Sequence, residues 1–196
     1  MSTKKIAIFA SGTGTNAQKI VSYCQTQENV EVALIVSNKP TAPVLTFAEE
    51  SGIPTLLINR SSFYQSEDIL KKFAAYSIDF VVLAGFLWLV PEYLITAYPR
   101  RIINIQPALL PKYGGKGMYG MNVHRAVKAA GEDETGITIH YVNKYYDEGA
   151  IIFQKSCSIA TGDTPEVIAK KVQKLEHEFY PRIVVDLVKN LVALNN

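Results

Sequence analysis

The sequence predicts an α/β fold: a doubly wound, mostly parallel sheet (Rossmann-like), extended by an antiparallel strand pair, in a single domain with a long C-terminal helix. Three observations predict it. Short apolar runs alternate with amphipathic, helix-like stretches along most of the chain. The apolar runs, such as residues 5–10 and 79–85 ("DFVVLAG"), lack polar alternation, so both of their faces are buried, as in a parallel sheet covered on two sides. Late in the chain the pattern changes. "TGITIHYVN" alternates polar and apolar residues, and "AIIFQKSCSI" follows after "KYYDEG", which reads as an antiparallel pair joined by a tight link.

The elements follow in order. Residues 5–10 form a strand that runs into "SGTGTN", and "AQKIVSYCQ" is a helix. Residues 30–36 form a second strand, stopped by "SNKPTAP", and "VLTFAEESG" is a helix with Gly52 as its stop. "IPTLLIN" is a third strand, residues 66–75 a helix, and residues 79–85 a fourth strand. Residues 91–98 give a short helix and 101–105 the last parallel strand. "VHRAVKAAG" is a helix that precedes the antiparallel pair. Asp163, Thr164, Pro165 and Glu166 supply a cap, a first-turn proline and an early acid, so a helix starts there and continues past Pro181 to the chain end.

The totals bound the function. The 196 residues are 48% hydrophobic and 19% charged, with a formal net charge of +2, an ordinary globular balance. No Lys/Arg run marks a nucleic-acid surface, so no nucleic-acid partner is expected. The apolar start of the chain is too short for a signal peptide or a membrane span, which points to a cytoplasmic protein without a membrane partner. Cys24 and Cys157 form no C-x-x-C pair and read as reduced thiols. No spacing of His, Cys, Asp and Glu suggests a metal.

Ligands of a parallel sheet collect beyond the carboxyl ends of its strands. Three segments fall there: "SGTGTN", "LAGFLWLVP" and "NIQPALLP". In the first, Gly12 and Gly14 permit a tight turn into a helix, whose free N–H groups and dipole favour an anion such as a phosphate. Thr13, Thr15 and Asn16 add side-chain donors. The string also fits the dinucleotide pattern G-x-G-x-x-A, but the second strand ends in Ser37, Asn38 and Lys39 without the ribose-binding acid, which weighs against NAD. Asn104 and Gln106 lie two apart on the last parallel strand and project to one side, where an amide can donate to a developing oxyanion. Alternatively they only hold the turn that follows. Asp147 alone would be a turn carboxylate. His140, His124 and His177 each read first as core or helix histidines.

Taken together, "FASGTGTN", "VVLAGFLWLVP", "RIINIQPALLPKY", "ETGITIHYV", "YYDEGAII" and "KLEHEFYP" resemble, in order, the glycinamide ribonucleotide formyltransferases among the folate-dependent formyltransferases. The resemblance runs over essentially the whole chain. It implies one formyltransferase domain over 1–196, with a phosphate-binding half at about 1–100 and a folate and catalytic half at about 101–196. It implies formyl transfer from 10-formyltetrahydrofolate, a co-substrate, to the glycyl amine of glycinamide ribonucleotide in purine synthesis, without metal, by a monomer or homodimer. Gly14, Thr15 and Asn16 would hold the phosphate, with Gly12, Thr13 and Pro107 beside the same substrate. Leu87, Trp88, Leu89 and Val90 would line the pterin pocket, with Val142 to Asp147 opposite. Glu176 would meet the glycyl amine. The family's catalytic trio is Asn, His and Asp, which falls on Asn104, Gln106 and Asp147.

Gln106 is therefore the main departure, since glutamine does not titrate, and impaired turnover is expected. Trp88 stands where relatives often carry arginine, the "YGGKGMYGMN" loop is longer than in many relatives, and an arginine often found near the Phe63 stretch is absent. Two other readings remain: a folate- or nucleotide-binding homologue without catalysis, and a formyltransferase for another amine.

Overall fold

The computed structural model describes residues 2–191. Its first half is a run of β/α units: β1 (Lys4–Phe9), α1 (Thr15–Cys24), β2 (Val30–Ser37), α2 (Pro43–Glu50), β3 (Thr55–Leu57), α3 (Arg60–Tyr64), α4 (Asp68–Ala75), β4 (Phe80–Leu83), α5 (Glu92–Ala97) and β5 (Ile102–Gln106). Then come α6 (Met121–Ala129), β6 (Glu134–Tyr141), β7 (Ile151–Ser158) and α7 (Pro165–Lys189). One seven-stranded sheet holds all the strands in the order β3-β2-β1-β4-β5-β6-β7. The pairs from β3 through β5 are parallel, and β5–β6 and β6–β7 are antiparallel. The doubly wound sheet with its antiparallel extension is thus the predicted architecture.

Both faces of the sheet are buried because successive side chains of each central strand enter opposite cores. Ile6 and Ile8 of β1 pack with α1 and α7 through Ile20, Val172 and Val184. Ala7 and Phe9 enter the other core, where Phe9 meets Phe63, Phe73 and Phe86 with ring centroids 5.1 to 6.1 Å apart.

Local boundaries differ where short-range signals are weak. "IPTLLIN" contributes only Thr55–Leu57 to the sheet, because it pairs on one side alone, with β2. The stretch after it holds an additional helix, α3, started by a capping box: Asn59 Oδ1 accepts from the Ser62 N–H at 2.9 Å, and the Ser62 hydroxyl accepts from the Asn59 N–H at 3.0 Å. The link between β6 and β7 is not a tight turn but a loop spanning residues 142–150. The long terminal helix runs through Pro181 as predicted, and residues 192–196 lie outside the described residues. Both cysteines are free; burial pushes the Cys24 thiol up to about 11, so it stays protonated.

Candidate active site

The carboxyl ends of β1, β4 and β5 open onto one cavity of about 750 Å³, within the usual range for small-molecule sites. All three sequence-predicted segments reach it, together with the 142–150 loop and α7.

At one end, Gly12, Thr13, Gly14, Thr15 and Asn16 line the wall. Gly14 is the N-cap of α1 with φ 71°, and a Cβ there would lie 2.3 Å from Val44 Cγ2, so both its conformation and its neighbour require glycine. The first intrahelical bond runs from the Gln18 N–H to the Gly14 carbonyl at 2.8 Å. The amides of Thr15, Asn16 and Ala17 precede that bond, and no side chain caps them. The loop is pinned from outside: the Ser11 hydroxyl donates to Asn38 Oδ1 at 2.7 Å and accepts the Leu87 N–H at 3.2 Å. The result is a rigid, donor-rich helix start suited to a phosphate.

Asn104 stands at the centre of a polar group. Its Nδ2 donates to Asp147 Oδ1 at 3.3 Å and lies 3.2 Å from His140 Nε2. Because a carboxylate only accepts, the Asp147 contact fixes which way the Asn104 amide points. His140 lies directly across the sheet, paired with Asn104 in the β5–β6 register. Asp147 sits in the loop with φ 57° and its Oδ2 accepts the Gly115 N–H at 2.8 Å. One carboxylate therefore joins the strand end to the glycine-rich loop.

Gln106, 5% exposed, lines the cavity, but its amide is already committed. Nε2 donates to the carbonyls of Tyr113 and Met118, each at 2.9 Å. A primary amide has two N–H groups, and both hold the 113–118 loop. Gln106 thus acts as a loop clamp in this structure and has no N–H left for an oxyanion. Pro107 follows it on the cavity wall.

Glu176 enters from α7. Tyr180, one turn further along that helix, is fully buried and donates from its hydroxyl to the Leu83 carbonyl at the end of β4, at 2.8 Å. That bond fixes α7 over the mouth of the sheet. Asn16 Nδ2 donates to Glu176 Oε2 at 3.2 Å, which couples the acid to the phosphate-type loop. Burial pushes the Glu176 carboxyl up to about 7, partly opposed by the Asn16 bond. Asn16 Oδ1 is buried with no protein partner, an acceptor facing a ligand-sized space.

The other end is apolar. Leu87, Trp88, Leu89 and Val90 form one wall and Val142 faces them with Tyr145 and Tyr146. Trp88 rests on Phe63 and Phe86, with centroids 6.0 and 6.1 Å away. The Phe63 stretch carries an arginine of its own, Arg60. It begins α3, and its guanidinium carbon lies 5.1 Å from the Trp88 ring centroid. A flat heteroaromatic ring with polar edges fits such a wall.

Gly12 to Asn16, Leu87 to Val90, Asn104, Gln106, Pro107, Val142, Asp147 and Glu176 all meet in this one cavity, whereas Asn143 and Lys144 of the 142–147 stretch, and His177, do not line it. His124, read from the sequence only as a helix histidine, is indeed buried on α6, but it also lines the cavity and has an Nδ1 without a protein partner. Burial lowers its pKa. A histidine inside a helical pattern gives no signal of this. Among the described residues, no cluster of three His, Cys, Asp or Glu side chains could hold a metal ion, and no helix is long and apolar enough to cross a membrane.

The chain is similar to known proteins over nearly its full length. It is 43% identical over 190 residues to the chloroplastic phosphoribosylglycinamide formyltransferase of Arabidopsis thaliana, covering 92% of this chain and 64% of that protein. The chain thus spans less than two thirds of the plant relatives it matches, 64% and 62% of their lengths. It is 37% identical to the phosphoribosylglycinamide formyltransferase of Bacillus subtilis (strain 168), covering 98% of this chain and 97% of that one. The crystal structure of the Bacillus halodurans phosphoribosylglycinamide formyltransferase superposes with a TM-score of 0.85 at 38% identity, over 96% of this chain and 98% of that one. Residues 4–184 match the model of the formyl transferase family, and with the cavity described above this places the chain in that family.

Proposed function

We propose that this protein transfers a formyl group from 10-formyltetrahydrofolate to the glycyl amine of glycinamide ribonucleotide, a step of purine synthesis. The observation that carries the reading is the single cavity with an uncapped helix start at one end, an aromatic wall at the other, and Asn104 and Asp147 between them. The phosphate of the ribonucleotide lies on the amides of Thr15 and Asn16, with Gly12, Thr13 and Gly14 letting it approach. The pterin of the folate lies against Leu87, Trp88, Leu89, Val90 and Val142. The reacting groups then meet near Asn104. This divides the labour between a phosphate-binding half, about 1–100, and a catalytic half, about 101–196, with the apolar wall bridging the two. The protein acts in the cytoplasm, as a monomer or homodimer.

The amine attacks the formyl carbon and leaves negative charge on the formyl oxygen. An Asn104 N–H stabilises that charge once it leaves one of its present acceptors; losing a donor of this kind typically lowers kcat about 10²- to 10³-fold. Glu176 in its anionic form holds the acceptor's ammonium. In its neutral form it lets the amine reach the attack position unprotonated. Asp147 accepts the proton that the attacking nitrogen releases. Gln106 adds no ionisable group, so turnover is lower than with a histidine at that position. Calorimetry with glycinamide ribonucleotide and a folate analogue, followed by a formyl-transfer assay, tests the reading. Binding of both with slow transfer is expected; failure of the ribonucleotide to bind overturns it.

A further inference from the structure

We propose that His140 takes over the proton-carrying task that Gln106 cannot perform, working through Asp147 as a positioning and relay residue. The inference deepens the proposed function and rests on it. Four observations carry it. His140 is buried, lines the cavity and lies opposite Asn104 in the sheet. Its Nδ1 is 2.9 Å from the Tyr141 carbonyl, which can only accept, so Nδ1 bears a proton. Nε2 of the neutral ring is then an acceptor, and it faces an Asn104 N–H at 3.2 Å. Asp147 Oδ1 lies 3.5 Å from the same Nε2. The loop passes so close to the Tyr141 carbonyl that a Cβ on Gly149 would fall 1.6 Å from that oxygen, so the position requires glycine.

This arrangement couples proton storage to oxyanion stabilisation. The attacking nitrogen forms its bond to the formyl carbon and releases a proton to the Asp147 carboxylate. Asp147 passes it to His140 Nε2, giving an imidazolium paired with a carboxylate. Protonated Nε2 no longer accepts from Asn104, so that N–H is released and turns to the oxyanion at the moment the negative charge is present. As the adduct collapses, the bond from the formyl carbon to the folate nitrogen breaks. The proton returns from His140 through Asp147 to that nitrogen, and none is gained or lost overall. The other charged or titratable groups lining the cavity are Glu176 and Lys170 on α7, His124 on α6, Lys116 and Tyr119 in the glycine-rich loop, and Tyr145 and Tyr146 beside Asp147. The neighbouring strands present Asn104 and Ile151 at the paired positions, and neither titrates.

Formyl transfer to glycinamide ribonucleotide, followed from about pH 5 to 9, tests the proposal in the wild type, His140→Gln, Gln106→His and the double variant, each checked for folding by thermal melts. His140→Gln is expected to lower kcat by about 10²- to 10³-fold with KM values within about threefold, and to remove a histidine ionisation from the kcat profile. With histidine at 106 the same change is expected to lower kcat less than about tenfold, because a second carrier is present. Equal losses in both backgrounds, or an unchanged pH limb, overturn the proposal. Nitrogen-15 NMR of the wild-type imidazoles needs no variant: a neutral His140 protonated at Nδ1 is expected, and one protonated at Nε2 overturns it. A wild type that binds the folate but transfers nothing to the ribonucleotide sinks the substrate assignment instead, and the tautomer still judges His140.

Discussion

Asn104 has two N–H groups and both are occupied, one by Asp147 and one by His140. An oxyanion must therefore compete with groups of the protein, which makes the charge state of those neighbours part of the chemistry. Gln106 lies two residues on, yet its amide donates to the carbonyls of the 113–118 loop. Replacing it with histidine exchanges a loop clamp for a titratable group. Gln106→His is expected to raise kcat by about tenfold or more, with smaller changes in both KM values. Because a neutral imidazole has a single N–H, hydrogen exchange in residues 113–118 should also quicken. An unchanged kcat would refute the role given to this position. Glu176 supplies a stability test. Its carboxyl is raised from 4.5 to about 7 by burial, so ionisation opposes the folded state. Stability falls as pH climbs from about 4.5 to about 7 and is level on this account beyond that window. Glu176→Gln should be about 1–3 kcal/mol more stable than the wild type at pH 8 and indistinguishable at pH 4 in urea melts, while its KM for the amine acceptor rises.

Among the elements, α7 does the most to place the chemistry, because it carries Glu176 across the ends of strands formed far earlier in the chain. Its apolar face, including Val172, Val184 and Val188, joins the core shared with α1 and β6, and Tyr180 fastens it to the Leu83 carbonyl. Tyr180→Phe leaves that buried carbonyl without its donor. The expected loss is about 1–3 kcal/mol, with KM for the amine acceptor raised more than KM for the folate, which steady-state kinetics would resolve. The helix itself was legible in the sequence, since Thr164, Pro165 and Glu166 announce its start and apolar spacing marks its face. The glycine turn before α1 was equally legible, because its φ of 71° and its contact with Val44 leave few alternatives to glycine. Other features were not. The Asn59–Ser62 capping box is local but was hidden inside an apparent strand-to-helix link. The meeting of Asn104 with His140 depends on the β5–β6 register, which no short segment encodes. The same holds for Gln106, whose side chain reads as an oxyanion donor until the 113–118 loop is seen folded back onto it.

At the scale of the molecule, the cavity is a crevice between parts of the chain that share one sheet but differ in chemistry. The donor-rich end is built from β1, α1 and the Ser11–Asn38 contact, and the aromatic end from Trp88 and the rings beneath it. Ser11 ties the two ends through the Leu87 N–H, but the start of α1 and the rings beneath Trp88 are separate, so their ligands should be separable by mutation. Gly14→Ala forces a β-carbon toward Val44 and a side chain into a left-handed backbone, which displaces the amides of the α1 start. It leaves the Trp88 wall untouched. Glycinamide ribonucleotide at 100 times its Kd should stabilise the wild type by about 2.7 kcal/mol, a rise of about 5–10 °C in Tm for a chain of this size. A folate analogue at the same multiple should give a similar shift. In Gly14→Ala the ribonucleotide shift should vanish at that concentration while the folate shift persists, as differential scanning fluorimetry would show. Loss of both shifts together would mean that the crevice behaves as one unit, and the division into a phosphate end and a pterin end would have to be abandoned.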